Sequence, residues 1–85
     1  MISVEAFSLL VAIREKYGPD VKGVGPASLE ETCKLAALDE DSTRDVLSEL
    51  EKFRFVSVTR GIGNVIAGCS IQEAGQSYLD RHLDE

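Results

Sequence analysis

STRDVLSELEKFRFVSVTRGIGNVIAGCSIQEAGQSYL, residues 42–79, decides the fold of this 85-residue chain. It opens on a helical pattern, with Val46, Leu47, Leu50 and Phe53 at i, i+1, i+4 and i+7, the spacing that lines one face of an α-helix. Alternation takes over at Phe55–Thr59, the period of a half-buried strand. Gly61-Ile62-Gly63-Asn64 then supplies residues that accept positive φ, as a hairpin tip requires. Val65–Ile71 alternates less cleanly as a returning strand. Gln72–Leu83 resumes helical spacing, with Ala74, Tyr78 and Leu79 inward and Leu83 one turn later. Ser42 is placed to cap the first of these helices, with Asp45 three residues on and acids before it to meet the helix dipole.

Upstream, the pattern predicts two more helices. Ser28 and Glu31 have capping-box spacing, and Leu29, Thr32, Cys33, Leu35 and Ala36 form an inward face that ends in a turn at Leu38–Asp41. Before it, Ser3–Tyr17 carries Val4, Phe7, Leu10, Val11 and Tyr17 on one face. Ile2, Leu9 and Ile13 widen that face past half the circumference and leave Glu5, Ser8, Glu15 and Lys16 wet. A surface helix needs an apolar arc only somewhat wider than about 100°. The extra breadth predicts packing on the last helix or on a partner chain. Gly18-Pro19-Asp20 stops the first helix, because proline cannot continue it. The loop to Pro26 has room for one short strand at Val21–Val24 against the hairpin. Its glycines lack the G-K-[ST] ending of a phosphate-binding loop. The expected architecture is a single domain over residues 1–85, mainly α with a small β-hairpin (α+β).

Composition narrows the function. An apolar fraction of 44% and a charged fraction of 28% suit a globular domain. No apolar run is long enough to span a bilayer. A secretory signal is not expected, since no basic run precedes the first apolar stretch, so a cytoplasmic location is. Cys33 and Cys69 lie far apart and His82 stands alone, which predicts two buried free thiols rather than a metal site or redox pair. No cofactor is expected. Neither is catalysis, for which the chain offers no nucleophile–base pair, ligand cluster or phosphate cradle. The net charge of −6 is uneven: residues 39–54 and 73–85 carry −3 each, and residues 55–72 carry +1. A field of that sign repels phosphate.

The string Asp45-Val46-Leu47-Ser48-Glu49-Leu50-Glu51-Lys52-Phe53-Arg54-Phe55-Val56 resembles the recognition-helix-to-strand segment of winged helix-turn-helix regulators, including the MarR-like and PadR-like groups. Cys69-Ser70-Ile71-Gln72-Glu73-Ala74-Gly75-Gln76-Ser77-Tyr78-Leu79 is similar to their closing strand and helix. Two departures stand out. Phe53-Arg54 replaces the glycine that usually follows Glu-Lys, and Gln72 stands in place of the usual threonine. The resemblance implies the order helix, short strand, helix, helix, strand, strand, helix. It implies a transcription regulator that lays its third helix in the major groove of double-stranded DNA and its wing, residues 59–65, on the backbone. The DNA-binding residues it implies are Ser28, Thr43, Arg44, Ser48, Lys52, Arg54, Arg60 and Asn64.

Physical chemistry qualifies that picture. Arg44 has the reach for a guanine edge, and Lys52, Arg54 and Arg60 for phosphates. Asp41, Asp45 and Glu51 flank them. Three or four phosphate contacts give a salt slope of only about −3, so useful binding calls for a homodimer, through the first or the last helix. The alternative is an interaction module that keeps the fold and holds a protein partner at the acidic third helix. Either way Arg44, Ser48 and Lys52 are expected to be exposed on one face, with Val46, Leu47, Leu50, Tyr78 and Leu79 buried.

Overall fold

Ser3 starts the first helix with its own side chain: the hydroxyl accepts from the Ala6 N–H at 3.2 Å and so satisfies one of the donors that a helix start leaves open. A computed structural model describes residues 2–18 and 25–83 of the chain, the side chain of Asn64 excepted. Among these residues the order is α1 (Val4–Tyr17), α2 (Leu29–Ala36), α3 (Glu40–Lys52), β1 (Val56–Arg60), a single 3-10 turn (Ile62–Asn64), β2 (Ile66–Ile71) and α4 (Glu73–Leu83). The architecture is mainly helical with a two-stranded antiparallel hairpin.

Capping explains most boundaries. The Ser28 hydroxyl accepts from the Glu31 N–H at 3.1 Å, and the Glu31 carboxylate reaches back to the Ala27 N–H. This is the expected box, shifted by one residue on its return bond. The start of α3 corrects the sequence reading. Asp39, not Ser42, is the cap, its carboxylate accepting from the Ser42 N–H at 2.7 Å. A charged acceptor outcompetes a hydroxyl at the positive end of a helix, and that bond holds the Asp39 carboxyl below its ordinary range.

Two helix ends are turned by residues other than glycine. Ala37 (φ 56°) ends α2 and Arg54 (φ 62°) ends the turn after α3, both in the left-handed region. The Phe55 N–H reaches the Leu50 carbonyl at 3.0 Å, the closure that normally carries glycine. Arg54 thus occupies the conformation of the missing glycine. Ala37→Gly and Arg54→Gly are each expected to raise unfolding stability by about 1 kcal/mol, read as an upward shift in Tm. A lower Tm for either would show that its side chain makes contacts that outweigh the strain.

The hairpin pairs Val56 with Ile71 and Val58 with Cys69, and an irregularity between Thr59 and Arg60 sets Arg60 opposite Ile66. Both strands start one residue later than their patterns suggested. The strand expected at Val21–Val24 lies outside the described residues, and among the described residues the sheet has two strands. Gly25 and Pro26 do run along β2, where the Cys69 N–H donates to the Pro26 carbonyl at 3.1 Å. A Cβ on Gly68 would sit 2.6 Å from that carbonyl oxygen, so glycine permits the approach.

The core gathers Leu9, Leu10 and Ile13 of α1, Leu47 and Leu50 of α3, Val56, Ile71 and Leu79. The breadth of α1 is used within the chain, since this helix meets α2, α3, α4 and β2. Four residues expected inward are exposed: Val4, Phe53, Ala74 and Leu83. For α4 the reason is phase. Gly75, Gln76 and Leu79 form its buried side, with Tyr78 half-buried. Gly75 sits directly on the Phe55 carbonyl, where no side chain fits. Gln72 turns its amide back onto Ser70.

Candidate functional site

The outer face of α3 and the hairpin beside it hold most of the residues that the sequence singles out. Arg44, Ser48 and Lys52 follow at four-residue steps and all three are exposed, as the helical phase requires. Val46, Leu47, Leu50 and Leu79 are buried behind them.

Two of the four cations singled out on this face are engaged. The Arg44 guanidinium donates to Glu40 at 2.5 Å and lies 4.0 Å from Asp41. Arg60, at the end of β1, grips Glu51 of α3 with two parallel bonds of 2.9 Å. The Arg60 hydrogen bonds hold the Glu51 carboxyl below its ordinary range, with the nearby charge and a Val58 backbone bond adding to the effect. The same contact raises the Arg60 guanidinium. Lys52 and Arg54 are exposed and form no ion pair among the described residues. Five acids against two bases along α3 set the sign of the local field.

Thr43 is a correction. It is fully buried, with its hydroxyl lacking a hydrogen-bond partner, and cannot touch a nucleic acid. It lies three and four residues before Val46 and Leu47, on their face of the helix, and the phase outweighs its polar type. Ser28 is half-buried and committed to capping α2. The side chain of Asn64 lies outside the described residues.

The Glu51–Arg60 link predicts an acid response. A carboxyl whose folded pKa is lowered contributes stability above its ordinary range, and that contribution fades as pH falls through the lowered value. Hairpin amides are therefore expected to lose exchange protection, relative to those of α1, between neutral and strongly acidic solution. Equal loss in both elements would show that the pair does not hold the hairpin.

Of the two thiols, Cys69 is buried and Cys33 only half-buried, against the expectation of two buried ones. Burial raises the Cys69 thiol, offset in part by the Thr32 hydroxyl. Among the described residues no group of three or more His, Cys, Asp or Glu side chains is placed to hold a metal ion.

Sequence reasoning missed a chain of rings. Phe53 stacks on Phe55 at 5.6 Å, Phe55 meets Tyr78 at 4.7 Å, and Tyr78 meets His82 at 4.2 Å, with Phe7 edge-on to Tyr78 at 6.2 Å. The signals were the Phe53-x-Phe55 spacing at the helix exit and the i, i+4 step from Tyr78 to His82. It also missed an apolar hairpin tip, where Ile62 is 99% and Val65 59% exposed.

No protein-family model, curated protein or solved structure matches the chain. Among the described residues no helix is long and apolar enough to cross a membrane.

Proposed function

We propose that the chain is a winged helix-turn-helix domain that works by holding a protein partner rather than by reading DNA. Support for the fold assignment comes from two capped helices joined by a short turn, a hairpin after the second of them, a closing helix, and Pro26 bonded along β2. The observation that carries the functional reading is the engagement of Arg44 by Glu40 and Asp41 and of Arg60 by Glu51. Exposed pairs of this kind are worth about 0–1 kcal/mol, so phosphate has little difficulty displacing them. Displacement, however, leaves those carboxylates beside the phosphates. Exposed Ile62, Val65 and Phe53 add apolar surface of the kind a protein partner covers. Two free thiols suit a reducing, cytoplasmic setting.

A DNA-binding transcription regulator is the second reading, favoured by the exposed row of Ser48, Lys52 and Arg54. It calls for a homodimer that presents two third helices about one turn of B-DNA apart. Anisotropy of labelled random duplex at about 50 and about 200 mM salt separates the two readings. Absent binding at the lower salt is the expected result. Binding that weakens with a slope of about −3 per protomer, and that Lys52→Glu abolishes, would replace the interaction reading with the regulator.

A further inference from the structure

The surface where α1 begins carries an apolar groove and an acidic hollow that meet at one residue. The groove, about 240 Å³, is lined by Ile2, Ser3, Val4, Phe7, Tyr78 and His82. Val4 is 78% exposed at its rim. The hollow, about 290 Å³, shares Ser3 and adds the carboxylates of Glu5, Asp45 and Glu49. Glu49 is fixed in place by accepting from both the N–H and the hydroxyl of Ser3, at 2.7 and 2.8 Å. Glu5 and Asp45 are exposed and form no ion pair among the described residues. Among the described residues no lysine or arginine lines either depression.

We infer that this surface binds a basic amphipathic segment of a partner protein, an apolar side chain filling the groove while lysine or arginine enters the hollow. The inference rests on the interaction reading and gives it a place and a chemistry. Charge complementarity decides the occupant. Two copies of this chain, each at −6, would bring like charge toward like charge at a shared groove, whereas a cationic segment meets the carboxylates of Glu5, Asp45 and Glu49 in the hollow. The rings of Phe7 and Tyr78 along the groove suit the apolar anchor of that ligand. The mode is a helix laid in a groove, its apolar anchors at helical spacing and its charges on the flank.

The test uses the full chain and a labelled peptide designed as an amphipathic helix, leucines on one face and lysines on the other. Two control peptides replace its lysines by glutamate or its leucines by serine. Anisotropy at low salt measures affinity and backbone-amide NMR shifts locate the contact. The leucine–lysine peptide is expected to bind with shifts at residues 2–7, 45–49 and 78–82, and both controls at least about tenfold more weakly. Val4→Ser is expected to weaken binding about fivefold through lost apolar contact, and Glu5→Gln with Asp45→Asn about tenfold at low salt. All three positions are exposed, so these variants are expected to fold as the parent does, checked by circular dichroism. Glu15→Gln, exposed on α1 about three turns beyond Val4, serves as the unaffected control.

Several results overturn the assignment. No peptide binding by the folded chain sinks it, as does equal affinity for the glutamate peptide or indifference to the Val4 and Glu5/Asp45 variants. Shifts confined to Ser48–Lys52 or to the hairpin tip move the docking site elsewhere and leave the interaction reading standing. A dimer in sedimentation that Val4→Ser dissociates assigns the groove to a second copy instead. Salt-sensitive duplex binding abolished by Lys52→Glu removes the interaction reading itself.

Discussion

Leu50→Ala is expected to lower unfolding stability by about 3–5 kcal/mol, the range for truncating a fully enclosed leucine. Leu50 is 0% exposed, faces the core beside Leu47, and offers its backbone carbonyl to Phe55 in the turn that leads into β1. A void at this point has rigid walls from α1, α3 and the hairpin, which limits collapse around it. For a domain of 85 residues the total stability is on the order of 4–13 kcal/mol, so one such void takes a large share. Urea denaturation is the measurement, with the midpoint falling and the slope unchanged. A loss below about 1 kcal/mol would show that α3 does not bury this face.

Gly75→Ala is expected to cost about 2–3 kcal/mol, through overpacking. The sign is the informative part. In a helix interior alanine is ordinarily better than glycine by about 1 kcal/mol. Here a Cβ would collide with the Phe55 carbonyl oxygen and press on the Ile71 side chain at 3.2 Å. The backbone oxygen cannot swing aside as a side chain would, so α4 must move off the hairpin. Ala74→Gly, one residue earlier, exposed and in the first turn of α4, serves as the control and should cost no more than the helix-interior figure of about 1 kcal/mol. If Gly75→Ala stabilises instead, α4 does not cross the start of the hairpin where it is placed.

These two residues also mark what the sequence carried. Leu50 belongs to a repeat at i, i+1, i+4 and i+7 that states both the helix and its buried face. The same periodicity located α1, α2 and both strands to within a residue or two. Gly75 was legible only as part of a family-like string. Its reason is a close crossing between elements, and no local pattern reveals a crossing. The phase error on α4 has the same origin: Ala74 looked like a core residue by type, while the contact with Phe55 rotates Gly75 and Gln76 inward. Phe53 failed similarly: it is the C-cap of α3, one residue past the last helical position, and the chain turns away at the left-handed Arg54 that follows it.

The candidate site was half visible. Helical phase placed Arg44, Ser48 and Lys52 on the wet face, and phase alone could have withdrawn Thr43. The pairing of Arg60 with Glu51 was not visible, since it joins residues of different elements whose separation depends on how the hairpin leans. The groove at the start of α1 was hidden for the same reason, its walls coming from both ends of the chain.

The Glu51–Arg60 pair ties the hairpin to the last turn of α3. Arg60 stands where the ribbon leaves the body of the domain, and Glu51 in the last turn of the helix also meets the Val58 backbone. The ribbon beyond it is a lever arm, the pair its hinge pin, and Ile62 the far end. A force or ligand that pulls the tip sideways is transmitted to the C-terminal turn of α3, and through the strained Arg54 to the first residues of β1. Protonation of Glu51 withdraws that pin and leaves the hairpin held by the burial of Val56 and Val58 in the core.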